Sequence, residues 1–409
     1  MPSPIHLEGT TLEGGGQLLR LATCLSALTS TPINIINIRG KRSGGGGLKA
    51  QHLTSVQWLG AASNARISGA GLKSKEITFK PKTRSTSGLE WRNGGNVVIK
   101  QNTPGSVNLV LQAVLPYMLF SNSGHEADGE EESIRVNITG GTNVSNSPSC
   151  DYIEQVLAPM LSLIGVPPIE TQIHSRGWSQ GSARLGSVTY TITPLGHPLP
   201  AFQITDRGHI KSVKATIIAP KDSEDRFRGE LDLMFDRRET SIFGSMEPDI
   251  ETTFEDSKHE KRYYLLLVAT STTGIRLGRD WLYDHSVRVG KTDSIISNIV
   301  RKVSGELIEE IEHGGCVDEY MRDQLVVFQA LAVGRSSVFG GRCNEAIVKP
   351  SLHAKTAHWV AKEVIGVDFN EDGSCEGIGF GAEPQNVGGK EVEDSSLAEE
   401  MEKLDVASE

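Results

Sequence analysis

The sequence predicts an α/β chain of the α+β kind, built from repeated βαβαββ units packed together, with a small α/β domain inserted. Three observations carry this reading. Strand-like and helix-like segments follow the order strand, helix, strand, helix, then two strands, at least twice before residue 193. Two glycine runs, at 14–16 and 44–47, open directly into segments with helical apolar spacing. Between Thr193 and Glu260 the rhythm breaks at Pro194, Pro198, Pro200 and Pro220, and the stretch from Asp222 to Arg238 is densely charged.

Ile5–Glu8 reads as a short strand leading into the first glycine run. A helix follows from about Gly16 to Leu28, with Leu18, Leu21, Ala22, Leu25 and Leu28 in helical register. Pro32–Ile38 is an Ile-rich buried strand. The next helix, about Leu48–Asn64, places Leu53, Val56 and Leu59 on one face. Glu76–Lys80 and Asn96–Lys100 are strands separated by a polar loop. The rhythm then returns as a Gly105–Phe120 helix, an Ile134–Thr139 strand, a Cys150–Ile164 helix and a Ser187–Thr193 strand. Each unit lays two helices on one face of a four-stranded sheet. Beyond the break, Tyr263–Thr270 is a strongly apolar strand with Gly274–Gly278 as its partner. Helices are expected at about Lys291–Glu312, Glu319–Ala332 and His353–Val364. The expected divisions are 1–192 for the first part of the core, 193–261 for the insertion and 262–380 for the last part of the core. An acidic, disordered tail is expected at 381–409.

At 409 residues the chain exceeds the usual size of one core. No apolar run approaches the roughly 20 residues that span a membrane, and the N-terminus lacks a signal pattern. The expectation is a soluble, intracellular protein with no membrane partner. Its five cysteines are scattered and lack CxxC spacing, which argues against a disulfide framework and a zinc site. Charge is unevenly distributed. Residues 1–122 hold thirteen Lys and Arg against four Asp and Glu, a local net charge of +9, leaving −19 for the remainder of a chain whose total is −10. Much of the acid lies in the patch Glu126–Glu132 and in the tail. A basic N-terminal third fits a phosphate-bearing ligand, and ordinary solvated charge is the alternative.

Glu13 precedes the first glycine run, and Arg20 lies in the helix beyond it. A glycine loop at a helix N-terminus leaves backbone N–H groups free to face an anion; a tight turn without ligand is the other reading. Arg39 and Arg42 border the second glycine run, and Gln51 and His52 open the helix after it. Gly140-Gly141-Thr142-Asn143 precede the helix that opens near Asp151-Tyr152, either as another anion site or as a turn. Tyr320, Asp323 and Gln324 share a helix face at i, i+3, i+4 spacing, while Asp318 suits an N-cap. His353, at the start of the last helix, is either a hydrogen-bonded core histidine or a nucleophile beside an anion cleft.

In this order, Glu13–Arg20 with Gly-Gly-Gly-Gln, Gln51-His52-Leu53, Gly140–Asn143 before Asp151-Tyr152, Asp318–Leu325 and Leu352-His353-Ala354-Lys355-Thr356-Ala357 closely resemble the RNA 3′-terminal phosphate cyclases. The resemblance runs from about Ile5 to Phe380. It implies an enzyme that uses ATP and a divalent cation, Mg²⁺ or Mn²⁺, to turn an RNA 3′-phosphate into a 2′,3′-cyclic phosphate. A histidine is adenylylated with release of pyrophosphate, AMP passes to the RNA 3′-phosphate, and the 2′-OH expels AMP. His353 matches the nucleophile. Glu13, Gln17, Pro148, Tyr320, Asp323 and Gln324 match nucleotide-binding positions, Glu13 also on the metal side. Arg20, Arg39, Arg42, Gln51 and His52 match positions toward the RNA phosphate. The resemblance places the protein in the nucleus or the cytoplasm and leaves its oligomeric state open.

Two departures stand out. After Arg176-Gly177 the family has an aromatic residue, a proline and a glycine triplet; here the chain reads Trp178-Ser179-Gln180-Gly181-Ser182-Ala183. Glu255–Arg262 is charged where the family is rich in Gly and Asn. A second reading is a catalytically silent relative that binds during ribosomal RNA processing. That branch lacks the nucleophilic histidine and the Glu-Gly-Gly-Gly-Gln motif, and this chain has both, which favours the enzyme. An enolpyruvyl-transferase-like enzyme shares the repeated architecture but needs no His353.

Overall fold

The computed structural model describes residues 3–42, 44–82, 94–121, 132–180, 183–236, 248–287 and 292–381. Most of the acidic patch at Glu126–Glu132, Gly181 and Ser182 of the altered loop, and the tail from residue 382 lie outside the described residues.

The first unit contains β1 (Ile5–Glu8), α1 (Gly16–Thr29), β2 (Ile33–Ile36), α2 (Ala50–Ala62), β3 (Arg66–Ser68) and β4 (Ile77–Lys80). Its sheet runs β1-β2-β4-β3, with β1 parallel to β2 and β4 antiparallel to both neighbours. The second unit contains β5 (Asn96–Lys100), α3 (Val107–Phe120), β6 (Ile134–Gly140), α4 (Cys150–Tyr152), a π-turn at Ile153–Leu157, α5 (Ala158–Leu163), β7 (Glu170–Ser175) and β8 (Gly186–Ile192). Its order, β5-β6-β8-β7, and its strand directions repeat the first. The repeat extends to side chains. Asn34 faces Thr78, and Asn137 faces Thr189, at equivalent register positions. Each Asn Nδ2 donates to the opposing Thr Oγ1, at 3.0 and 3.1 Å. The short strands β3 and β7 were not legible because both are polar, exposed edges without an apolar stripe.

β9 (Gln203–Ile204) begins a third unit. The chain then leaves it for β10 (Ile210–Ala219), α6 (Glu224–Asp236), β11 (Asp249–Asp256), β12 (Tyr264–Ser271), β13 (Arg276–Leu282) and α7 (Thr292–Glu312). It returns with α8 (Glu319–Leu331), β14 (Val333–Val338), the hairpin β15 (Arg342–Cys343) and β16 (Ala346–Ile347), α9 (Leu352–Ile365) and β17 (Ser374–Ile378). β14 pairs in parallel with β9 and antiparallel with β17, as in the first two units. The departing strands form their own sheet, β11-β10-β12-β13.

This corrects the expected insertion at 193–261. β12 is the centre of the inserted sheet, so a cut at 261/262 passes through its hydrogen bonds to β10. Observed strand pairing gives the insertion as 210–312. The reason is physical: a continuous apolar strand reads the same in either of two sheets, because burial on both faces removes alternation.

The helices pack on one another between the sheets. α1 lies against α2, α3 and α9, and α8 against α9. Consequently α1 is buried nearly all round, including its polar Gln17 and Arg20. Asp318 ties the insertion to this core. Its Oδ1 accepts from Met321 N–H and the Tyr152 hydroxyl, and its Oδ2 from Gly278 N–H, each at 2.8 Å. Asp318→Ala is expected to lower unfolding free energy by roughly 3 kcal/mol, because it removes an N-cap and strands two further buried donors. Urea denaturation of the two proteins checks this.

Candidate active site

Apart from α5, which continues α4 through the π-turn, six core helices have defined N-caps. Ser106, Ser149, Asp318 and Ser351 cap α3, α4, α8 and α9 with side-chain oxygens. The caps of α1 and α2, Gly15 and Lys49, supply no such acceptor. Their first-turn N–H groups are left for an outside anion. These are the two helices that follow the glycine runs.

The glycines also let side chains approach. A Cβ at Gly16 would sit 2.5 Å from His52 Nε2 and 2.9 Å from Arg20 Nη1; one at Gly15 would collide with the Glu13 carboxylate. His52 Nδ1 accepts the Lys49 backbone N–H at 3.3 Å, so the neutral ring carries its proton on Nε2, toward Gly16. Burial, then Arg20, Arg39 and Lys49, push the His52 pKa down to about 3 and keep the ring neutral.

A cleft of about 380 Å³ opens beside α1. Among its walls are Gln17, Arg20, Pro148, Tyr320, Asp323, Gln324 and His353. Gln17 joins two of them: its Nε2 donates to Asp323 Oδ2 at 2.6 Å, and its Oε1 accepts from Arg20 at 2.9 Å. Burial pushes Asp323 up to about 7 and lowers Arg20 to about 10. Tyr320 lies under the Arg279 guanidinium, 4.7 Å from ring centroid to Cζ, and edge-on to Tyr152. His353, exposed at the rim in the first turn of α9, has its pKa held below the ordinary 6.5 by burial of its cleft side, then by Arg20 and Arg42. A neutral imidazole with a free nitrogen lone pair is a competent nucleophile.

The other expected site residues sit behind or beside this cleft. Glu13 forms an ion pair with Arg42, and its backbone N–H donates to Thr356 on the helix that carries His353. Arg39 donates to Gly47 O at 3.2 Å, closing the second glycine loop. Gln51 Oε1 accepts from Ser106 N–H, bracing α2 against α3. In this structure Arg39 and Gln51 hold loops in place and do not line the cleft.

Residue spacing could not reveal the wall contributed by the insertion. Asp280, Trp281 and Asp284 reach the cleft from β13 and the chain after it, and Lys302 from α7. Tyr264 donates to Asp280 and is hydrogen-bonded to Ser149, so β12, β13 and the α4 cap form one polar chain. Burial pushes Asp280 up to about 6.

The family model for RNA 3′-terminal phosphate cyclase matches residues 11–370. The chain belongs to this family. A relative from Desulfurococcus amylolyticus named RNA 3′-terminal phosphate cyclase is 32% identical over 371 residues, covering 88% of this chain and 92% of its own length. One of the same name from Caldivirga maquilingensis is 32% identical, covering 81% and 86%. A third, from Drosophila melanogaster, is 28% identical, covering 92% and 97%.

Gly15→Ala tests the glycine loop of this family member. A Cβ at Gly15 would meet only the far end of the flexible Glu13 side chain, and φ there is negative, so the fold should survive. The displaced Glu13 carboxylate should cut cyclisation of RNA 3′-phosphate ends about 100-fold. Circular dichroism and a cyclisation assay read the two effects separately.

Proposed function

We propose that this protein converts RNA 3′-phosphate ends into 2′,3′-cyclic phosphates at the expense of ATP. The observation that carries this is the convergence, at one cleft, of a neutral His353, a buried guanidinium at Arg20 and the first turn of α1, which has no side-chain cap and enters the wall through Gln17. One imidazole nitrogen of His353 attacks the α-phosphorus of ATP. A nitrogen–phosphorus bond forms, the bond to the bridging oxygen breaks, and pyrophosphate leaves. An oxygen of the RNA 3′-phosphate then attacks the same phosphorus, and His353 is released. The 2′-OH attacks the terminal RNA phosphorus, AMP leaves, and the hydroxyl proton passes to solvent. The need for that hydroxyl makes RNA, not DNA, the substrate that is cyclised.

The residues' tasks follow from their surroundings. Pro148, Trp281 and Tyr320 offer apolar and aromatic surface for a nucleoside. Gln17 and Asp323 fix the Arg20 fork, and Arg20, Arg42 and the free helix N–H groups neutralise developing phosphoryl charge. Among the described residues no three His, Cys, Asp or Glu side chains form a metal cluster. Glu13 Oε2, however, is buried without a hydrogen-bond partner. One free carboxylate oxygen fits a divalent cation whose other ligands are phosphate and water, the usual manner of Mg²⁺. Such a cation, held by Glu13, would neutralise phosphate charge during displacement.

His353→Ala should fold normally and capture no labelled AMP, and the wild-type label should be acid-labile and alkali-stable. Label retained in the variant overturns the assignment of the nucleophile, and no label on folded wild-type protein overturns the enzyme reading. The pH profile gives a second check. Burial, then nearby cations, disfavour the imidazolium, so wild-type labelling should hold its neutral-pH rate down past the ordinary histidine value of 6.5. Arg42→Ala removes one such cation, raises the His353 pKa and should move the acid limb to higher pH. An unmoved limb in stopped-time labelling contradicts this.

A further inference from the structure

We infer that the lysines beside the second glycine loop form a track for the sugar-phosphate backbone of RNA upstream of its 3′ end. This rests on the RNA reading above and extends it to a surface that no motif of the chain marks. The segment 71–75, between β3 and β4, is stitched to the loop by its backbone. Lys73 N–H donates to Leu48 O, Leu48 N–H to Ser74 O, and Ile38 N–H to Lys75 O, each at 2.9 Å. Gly47 N–H donates to Ile38 O at 2.7 Å, and a Cβ at Gly47 would strike Lys73 O. Three stretches of chain, 38–42, 46–49 and 71–75, therefore form one strip.

That strip carries Arg39, Lys41, Arg42, Lys49, Lys73 and Lys75. The four lysines are exposed. Arg42 is paired with Glu13, and Lys41 lies close enough to Glu8 to lower its pKa. Lys49, Lys73 and Lys75 form no ion pair with an acid among the described residues. Lys73 is moreover held at φ +64°, a left-handed backbone that a lysine rarely adopts. Nearby acids are engaged elsewhere: Glu76 accepts from Asn34, and Glu8 from Thr10 and Asn37. The strip includes Arg42, paired with Glu13 before α1, and Lys49 at the N-cap of α2, and the backbone bonds join Lys73 and Lys75 to them. An RNA whose terminal phosphate sits at those N-termini would lay its next phosphates along it. Lysine ammonium groups, compact point charges, suit phosphates without reading bases.

The test is equilibrium binding of a fluorescent RNA decamer with a 3′-phosphate, without ATP, across about 50 to 200 mM salt. Each lost single-strand phosphate contact lowers the salt slope by about 0.7, so Lys73→Gln with Lys75→Gln should lower it by about 1.4. The affinity deficit of the double variant should then shrink roughly sevenfold across that range. A nucleoside 3′-phosphate, too short to reach the strip, should show no such difference. Lys75→Gln alone, which leaves the positive-φ residue Lys73 in place, should lower the slope by about 0.7 and serves if the double variant does not fold. Wild-type slopes in these variants, or an equal loss of affinity for the nucleoside 3′-phosphate, overturn the track. Because the readout is binding, absence of AMP labelling would overturn the cyclase reaction and leave this result standing.

Discussion

A guanidinium buried without a direct carboxylate partner governs the centre of this molecule. Arg20 donates to an amide oxygen, that of Gln17, and Asp323 acts on it through its field and not through a hydrogen bond of its own. Desolvation dominates both ends: Arg20 falls to about 10, and Asp323 rises to about 7. A buried charge so weakly compensated costs several kcal/mol. It persists because α1 is clamped on almost every side, with Leu18, Leu19, Leu25 and Leu28 all buried around it. An anion entering the cleft meets a guanidinium already stripped of water, so little solvent reorganisation remains to oppose binding.

The repeat makes the functional deviation visible. Helices α3 and α4 hold the places in unit two that α1 and α2 hold in unit one, and serines cap both. In unit one the same places carry Gly15 and Lys49, and the side-chain oxygen is missing. Leaving α1 and α2 without a side-chain cap gives up a few tenths of a kcal/mol at Gly15 and roughly 1 kcal/mol at Lys49. Local rules are broken in this way where a site needs the groups that a cap would occupy.

Much of this was legible in the sequence, and the remainder was hidden for definite reasons. Glycine runs, helical spacing and the His353 segment are local signals, and local signals survive in a linear reading. The alternation of units was likewise visible because strands buried on one face and helices differ in apolar period. Asp280, Trp281 and Lys302 were not found, because only the tertiary arrangement brings the insertion to the cleft. The insertion's limits were misplaced because β12 is apolar on both faces. Arg39 and Gln51 were expected toward the phosphate; each also braces a loop, Arg39 through Gly47 O and Gln51 through Ser106 N–H, contacts that composition cannot foretell.

The two departures from the family pattern prove to be neighbours. Arg176 donates to both carboxylate oxygens of Asp151 and to Glu255, joining the α4 turn to the inserted strand β11. Arg262 lies over Trp178, 5.2 Å from the ring centroid, and donates to Gln180 O. Charged residues at 255–262 thus cover the altered loop that begins at Trp178. Beneath them Gly177 O still accepts both the Thr142 and Asn143 N–H groups, at 2.9 and 3.0 Å. The glycine turn of unit two is therefore held by backbone hydrogen bonds that do not depend on the side chains that changed. Substitutions at 178–180 and 255–262 act on one surface, and their effects should couple when combined. They reach the cleft through Ser145, whose N–H donates to Ser179 Oγ and whose hydroxyl accepts from Gln180 Nε2, both at 3.3 Å, and through Asn143, whose Oδ1 accepts from Arg176 at 3.3 Å.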